Sequence, residues 1–368
     1  MKPKPISPLP FLTQIPDWRD PNRITYSWDA LWALILTGLL SGPENILALA
    51  SWLSTYREPL CQRLSLPGIP RQATLYRFFW SLDFALEPLQ HALLNWVRAC
   101  HPEVDTGRLV LLAGDGKVLK GSARQGESAL SFLSVFFHEL SLTVAQTPQN
   151  GRHEARVLDD MLDTIRRVFG NKWMITLDAA YTESGLTGRI IEVGGAYFVP
   201  LKNNTRILKE WAELTFQYSP VTIFQDEERR SGETWIRTTS TQTEIPDDIL
   251  LALPAAQTLI RREHQVTHRD GRVTHEVRFA VSSTLLTAKE AEDIWRQHWS
   301  IENRSHHRRD TIFHEDRHRL RQGAQGLAVL HGILLTLLHA RTRHLTDLVR
   351  RLRHDPLAAL NVLEIGPG

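Results

Sequence analysis

The sequence predicts an α/β protein, with a small helical domain ahead of the α/β core and a β-rich insertion within it. Three textures carry that prediction. Over residues 28–99 apolar side chains recur at helical spacing only. Over 107–201 short apolar runs alternate with amphipathic helical stretches. Over 205–283 β-like runs are separated by charged turns such as Asp270-Gly271.

Taken in order, residues 1–25 are Pro-rich and read as an extended arm. A helical domain, 26–104, begins with Leu31, Leu34, Ile35 and Leu39 on one stripe and Ile46, Leu49, Leu53 and Tyr56 on the next. Pro67-Gly68 makes a turn, Leu75, Phe78 and Phe79 give a helix over 73–82 its buried face, and a last helix covers 86–97. Over 51–82 a helix-turn-helix and plain helical packing both fit. The first part of the core, 105–204, holds apolar strands at 109–113, 132–140, 142–146, 173–177 and 196–201, with a helix at 155–169. The insertion, 205–284, has β-like runs at 221–223, 234–241, 256–261 and 273–281. The core resumes over 285–340. There a helix from 288 to about 309 is opened by a capping box of Thr287 and Glu290, and an apolar helix follows at 326–339. A basic helix at 345–353 and a tail make up 341–368.

Composition narrows the function. With 42% hydrophobic and 23% charged residues the chain is an ordinary folded one. The net charge of +2 gives no overall basic character, but its distribution is uneven. Residues 296–354 hold twelve Arg, no Lys and nine of the sixteen His, against five acidic residues. Arginine forks suit phosphate, and a solvated face with surface ion pairs is the competing explanation. Cys61 and Cys100 make neither a metal-ligand pattern nor a disulfide framework, as expected in a reducing cytoplasm. The opening MKPKPISPLP has no signal-peptide character, and the apolar runs at 30–40 and 327–338 are too short to span a bilayer. The absence of a GxxxxGK[ST] loop argues against an ATPase, and the absence of HExxH or paired Cys argues against zinc.

Three carboxylates draw attention. Asp115, between Gly114 and Gly116, and Asp178, before Ala179-Ala180, each follow a short buried strand, where open α/β sheets place chemistry. An Asp in that position is also a common turn former or helix cap. Glu302 lies within the 288–309 helix, on a face with Trp295, Trp299 and His306. Such a carboxylate calls for a metal or for an ion pair, here to Arg296 or Arg309. Phosphodiester cleavage uses two divalent ions about 3.5–4 Å apart to activate the nucleophile and stabilise the leaving oxygen. Two Asp and one Glu supply the oxygen ligands that magnesium prefers, with manganese as the alternative. The three are therefore expected to converge on one site. Glu315 and Asp316 rival Glu302 for the third place but sit where the helical pattern breaks down.

The blocks around these residues resemble a known family. Gly114-Asp115-Gly116-Lys117-Val118-Leu119-Lys120-Gly121-Ser122 is similar to the first-Asp block of the DDE transposases of bacterial insertion sequences, in particular the H-repeat-associated (ISAs-type) group. Met174-Ile175-Thr176-Leu177-Asp178-Ala179 resembles the second-Asp block. The strand ending Lys202-Asn203-Asn204 resembles the one that follows it, and His298-Trp299-Ser300-Ile301-Glu302-Asn303 resembles the block carrying the catalytic Glu. The likeness runs from about Asp20 to His339.

It implies an RNase H-like mixed-sheet catalytic core and a helical domain that binds DNA ends. It also implies Asp115, Asp178 and Glu302 as catalytic metal ligands for two divalent ions, Mg2+ or Mn2+. The implied reaction is cleavage at transposon ends and strand transfer. The implied partners are double-stranded DNA, as terminal inverted repeats and target, and a second copy in a synaptic homodimer. The setting is the bacterial cytoplasm, at the nucleoid. Lys117, Lys120, Lys202, Arg237, His298, Arg304, Arg308 and Arg309 are the expected DNA contacts, against surface solvation or internal ion pairs. Trp235 either stacks on an extruded base or fills a small β core. Departures occur at Gly151 to Glu154, at Thr205 and at Ser231 to Arg237, where the family's usual polar residues are only partly kept. They leave two alternatives: a repurposed, non-cleaving DNA-binding descendant, or another RNase H-like nuclease.

Overall fold

The computed structural model describes residues 6–100, 109–138, 142–149, 151–182, 185–219, 221–298 and 301–363. In chain order the helices α1 (Leu9–Leu12), α2 (Trp28–Leu40), α3 (Ile46–Thr55), α4 (Arg57–Leu64), α5 (Gln72–Phe84) and α6 (Leu86–Cys100) come first. Strands β1 (Val110–Leu119), β2 (Leu130–Phe137) and β3 (Leu142–Pro148) lead to α7 (Glu154–Phe169), β4 (Trp173–Thr176), α8 (Leu186–Glu192) and β5 (Ala196–Leu201). Then come α9 (Arg206–Tyr218), β6 (Thr222–Arg230), β7 (Glu233–Gln242), α10 (Asp247–Ala252), β8 (Thr258–Thr267) and β9 (Val273–Ser282). The chain ends with α11 (Ala288–His298), a π-helical segment (Glu302–His306), α12 (His307–Phe313), α13 (Ala324–Arg341), α14 (Leu345–His354) and α15 (Pro356–Leu363).

These elements form two compact units that cut across the expected domains. One comprises 1–103, 116–151 and 301–368, the other 104–115 and 152–300. Within the first, α13 is apolar on every side and almost wholly buried, as such a helix must be. It lies against α5, α6 and β3, so the N-terminal helices do not stand as a separate domain. The expected extended arm contains a helical turn, α1, and Leu12 and Ile15 are buried. The expected tail holds α15, which starts with Pro356, suited to a first helical position, and packs on α2.

In the second unit the strand order is β1-β4-β5-β9-β8-β7-β6. The β1–β4 and β4–β5 pairs are parallel and the rest antiparallel. In the first unit β3 pairs antiparallel with β2, which neighbours β1. The first five strands thus follow the order 3-2-1-4-5, the RNase H-like arrangement.

The insertion differs from its expectation in two ways. It opens with the helix α9, and its strands continue the core sheet from β5 through β9. Met174, Phe198, Ile260, Ala280, Ala291, Ile294 and Trp295 form one apolar cluster, so insertion and core share a core under α11. Beside it the buried Glu292 carboxylate accepts hydrogen bonds from Arg262 at 2.7 and 2.8 Å and from Thr239 at 2.8 Å. The capping box of α11 is present as expected: the Thr287 N–H donates to Glu290 at 2.9 Å, and the Glu290 N–H to Thr287 Oγ1 at 3.3 Å.

Candidate active site

The site in the second unit is assembled by strand register. The last pair of the parallel β1–β4 ladder is Ala113 with Thr176, and Asp115 and Asp178 each lie two residues further on. Asp115 is still within β1, Asp178 lies just past the end of β4 in the turn that follows, and both charges bear on the Tyr181 hydroxyl. Asp115 is not at the end of its strand, as expected, since β1 continues to Leu119. Gly114 serves packing rather than a ligand, because a Cβ there would lie 2.9 Å from Leu177 Cδ2.

Asp178 caps the short turn that follows it, its Oδ1 accepting from the Ala179 N–H at 2.7 Å. From the end of β5, Lys202 Nζ reaches the same oxygen at 2.5 Å, and Asn204 donates to the Ala179 carbonyl at 2.8 Å. Partial burial works against the charge of Asp178. The Lys202 hydrogen bond, the Ala179 N–H and the Lys202 charge outweigh it and hold the pKa below the ordinary value. Tyr181 closes the group, donating to Glu154 Oε2 at 2.7 Å. Burial first, then Glu154, Asp115 and Asp178, push its phenol far above the usual range, so it stays a donor.

His298, at the end of α11, places Nδ1 2.9 Å from Thr176 Oγ1. The Thr176 hydroxyl spends its proton on the Leu112 carbonyl at 3.1 Å. Nδ1 must then be the protonated nitrogen, leaving Nε2 as an acceptor. Burial, with a smaller contribution from Lys202, lowers the His298 pKa to about 4 against the pull of Asp178. A neutral imidazole is a poor phosphate contact, which corrects the expected role of His298.

Arg237 is also corrected. It is nearly buried and bound to Asp226 at 3.1 Å and Glu228 at 2.9 Å. Trp235 lies against the His264 ring at 5.0 Å, with the Arg237 guanidinium over its face, which favours the β-core reading. Arg296 is engaged by Asp226 at 3.1 Å, so one expected partner of Glu302 is occupied elsewhere.

In the first unit Glu302 is exposed and opens the π-helical segment. Such segments occur inside α-helices, frequently at functional positions. The expected continuous helix is broken here, and Trp299, assigned to its face, lies outside the described residues. Arg309, the other expected partner of Glu302, has no exposed surface and donates to Glu315 at 3.1 and 2.8 Å. Lys117 is buried beside it, 2.6 Å from Asp310 and 3.3 Å from Glu315. His331 Nδ1 lies 3.0 Å from Glu315 Oε1. Burial opposes the charge of Glu315, but Arg309, the His331 hydrogen bond and Lys117 bring its pKa well below the ordinary value. Neither Lys117 nor Arg309 presents its cation to a phosphate, and both expected DNA contacts are corrected on that ground. Lys120, Arg304 and Arg308 retain surface, with Lys120 3.5 Å from Asp316.

Reading from sequence alone left out Tyr181 and gave Asn204 and Glu154 no role. Tyr181, three residues after Asp178, was the available signal. Asp178 is held ionised, half its side chain is exposed, and the Lys202 ammonium occupies its Oδ1, but among the described residues no three His, Cys, Asp or Glu side chains come together as a metal site.

An RNase H-like strand order, with Asp115 on β1 and Asp178 just past the end of the neighbouring parallel β4, defines the class of protein. The chain belongs to the transposase DDE domain family, whose model matches residues 120–338, more than half of it. That match includes Asp178 and Glu302 and begins just after Asp115. A second model, described as DDE_Tnp_1-associated, matches residues 9–97. Among relatives, YbfL of Escherichia coli (strain K12) is 24% identical over 324 residues, covering 84% of this chain and 83% of the relative. The "H repeat-associated putative transposase YhhI" of the same strain has the same identity and coverage. A protein in the dhlA 3' region of Xanthobacter autotrophicus is 31% identical over 211 residues, 55% of this chain and 68% of its own. A cryo-EM structure of a piggyBac transposase synaptic complex with hairpin DNA aligns with TM-score 0.41 at 10% identity, covering 94% of this chain and 83% of that one.

Proposed function

We propose that this protein cuts DNA at transposon ends and joins them to target DNA in the bacterial cytoplasm, with Asp115, Asp178 and Glu302 as its metal ligands. The observation that carries this reading is that Asp115 and Asp178 each follow the last rung of the parallel β1–β4 ladder by two residues, in a member of the transposase DDE domain family. Divalent ions held by these carboxylates would activate the attacking water and stabilise the leaving oxygen. Lys202 keeps Asp178 ionised and in place, and Tyr181 anchors Glu154 beside the pair. Exposed Lys120 and Arg304 and half-buried Arg308 are proposed to follow the DNA backbone, and synapsis of two ends calls for at least two copies.

The test pairs a band-shift on an end-containing duplex with a magnesium-dependent nicking assay. Asp115→Ala and Asp178→Ala should each lower nicking by about 1,000-fold or more, several kcal/mol of transition-state stabilisation, while duplex binding persists. Nicking by either variant at the wild-type rate would overturn the assignment. Nicking without joining would reduce the protein to a nuclease.

A further inference from the structure

The first unit holds a cleft of about 590 Å3 that the proposed chemistry does not use. Tyr76 and Trp80 of α5 form one wall, Arg124 and Glu127 of the loop after β1 another, and Arg319 and Arg321 of the segment before α13 the third. Its walls are fixed. Gly323 has φ +85°, and a Cβ there would lie 2.5 Å from the backbone of Phe79, so α5 sits directly on the start of α13. Asp83 of α5 accepts from the Gly323 N–H at 2.5 Å. On the other side Arg321 donates to the carbonyls of Ser122 at 3.1 Å and Ser128 at 3.2 Å and pairs with Glu127 at 2.8 Å. Arg321 and Glu127 are thereby consumed in holding the loop.

What remains facing the cleft has a specific chemistry. Trp80 is 43% exposed, and Tyr76 stands beside it with ring centroids 6.2 Å apart. Arg124 and Arg319 are exposed, and among the described residues neither has an acidic partner. Aromatic faces beside unneutralised arginines are how proteins take up unpaired bases, the rings stacking and the guanidiniums meeting phosphate. The volume falls within the range of about 300–1,000 Å3 that encloses small ligands. A paired base has both faces covered in its stack, so intact duplex offers this cleft nothing to stack.

We infer that the cleft binds an unpaired nucleotide of a DNA strand, its base against Trp80 and Tyr76 and its phosphates at Arg124 and Arg319. That the strand is DNA rests on the function proposed above. The site itself rests only on the cleft.

The probe is a six-nucleotide single strand, thymidines with one central 2-aminopurine, added to the full chain in EDTA. Wild-type protein should bind it and quench the 2-aminopurine, because stacking on an aromatic ring quenches that base. Trp80→Ala should weaken binding about 5- to 100-fold, and Trp80→Phe should largely restore it. Arg319→Ala should lower the salt slope by about 0.7 for the lost phosphate contact. Unchanged binding by Trp80→Ala, or equal competition by a blunt duplex or by inorganic phosphate, would overturn the inference. Since no metal is present, this outcome is independent of the nicking test. Failure of the Asp178→Ala experiment would sink the transposase reading and leave the cleft result standing.

Discussion

Glu315 is the carboxylate with the highest stakes in the molecule. It is 3% exposed and faces the wholly buried Arg309, Lys117 and His331. Removing one member of such a network leaves buried charge uncompensated, which typically costs about 3–5 kcal/mol. Glu315→Gln should therefore lower the unfolding midpoint sharply, yet the fraction that stays folded should still nick DNA. Glu302 is exposed, so Glu302→Gln should leave the midpoint within about 0.5 kcal/mol of wild type and abolish nicking. Urea titrations read beside the nicking assay separate the two. If Glu302→Gln unfolds the protein and Glu315→Gln silences a stable one, the third carboxylate has been assigned to the wrong residue. The sequence ranked Glu302 first only because the helical pattern breaks down at Glu315, whereas it is burial that tells a structural acid from an available one.

At the scale of elements, legibility followed periodicity. Strand β5 and helix α7 were recovered almost to the residue, because each is bounded by a Gly or polar cluster and has a strong period. Helix α9 was not read, although Ile207, Trp211, Leu214 and Tyr218 fall at helical spacing. These four are exposed, and without a buried stripe to confirm it the pattern lost to the β-like texture that follows. The break at Glu302 was equally invisible, since a π-helical turn has no composition of its own.

The α5–α13 junction offers a test at this scale. Gly323 combines a left-handed backbone with a backbone neighbour where a Cβ would go, so Gly323→Ala meets both strain and a clash. The left-handed conformation alone costs about 1–2 kcal/mol for a residue with a Cβ. Gly323→Ala should lose at least that much in a urea titration. Gly126→Ala, with the same sign of φ but open space around it, should lose only the conformational part. Equal losses would mean that α5 and α13 are not held as closely as described.

At the scale of the whole chain, the charged residues proposed for the site could be named from the sequence, and their electrostatics could not. The sequence shows nine His among residues 296–354, a group that suggests cationic contacts. Folding turns several of them into neutral groups, which no count of residues reveals. The consequence is a pH dependence. Burial is the main cause of lowered pKa values at His298 and His318, to about 4, and at His306, to about 3. In His298, Lys202 adds to the effect, in His306 Arg309 and Lys117 do, and in His318 His331 does. In the unfolded chain each should titrate near its ordinary value of about 6.5. Between those limits the unfolded state binds more protons than the folded one, so stability must fall as pH falls. The stabilisation is fully present above about pH 6.5 and is lost as pH drops through 5 towards the folded values. Carboxylates such as Asp178 and Glu315, also lowered, add the same sign of effect only below their ordinary values, near pH 4. The onset therefore identifies the histidines. Urea titrations from pH 7.5 to 4.5 should show a slope that steepens to at least about three protons per molecule by pH 5, since His264, His314 and His331 are lowered as well. His318→Gln should take away about one of them. A flat stability profile between pH 7 and pH 5 would show that these rings are protonated in the folded protein, and with it the neutral, Nδ1-protonated His298 beside Asp178 would fall.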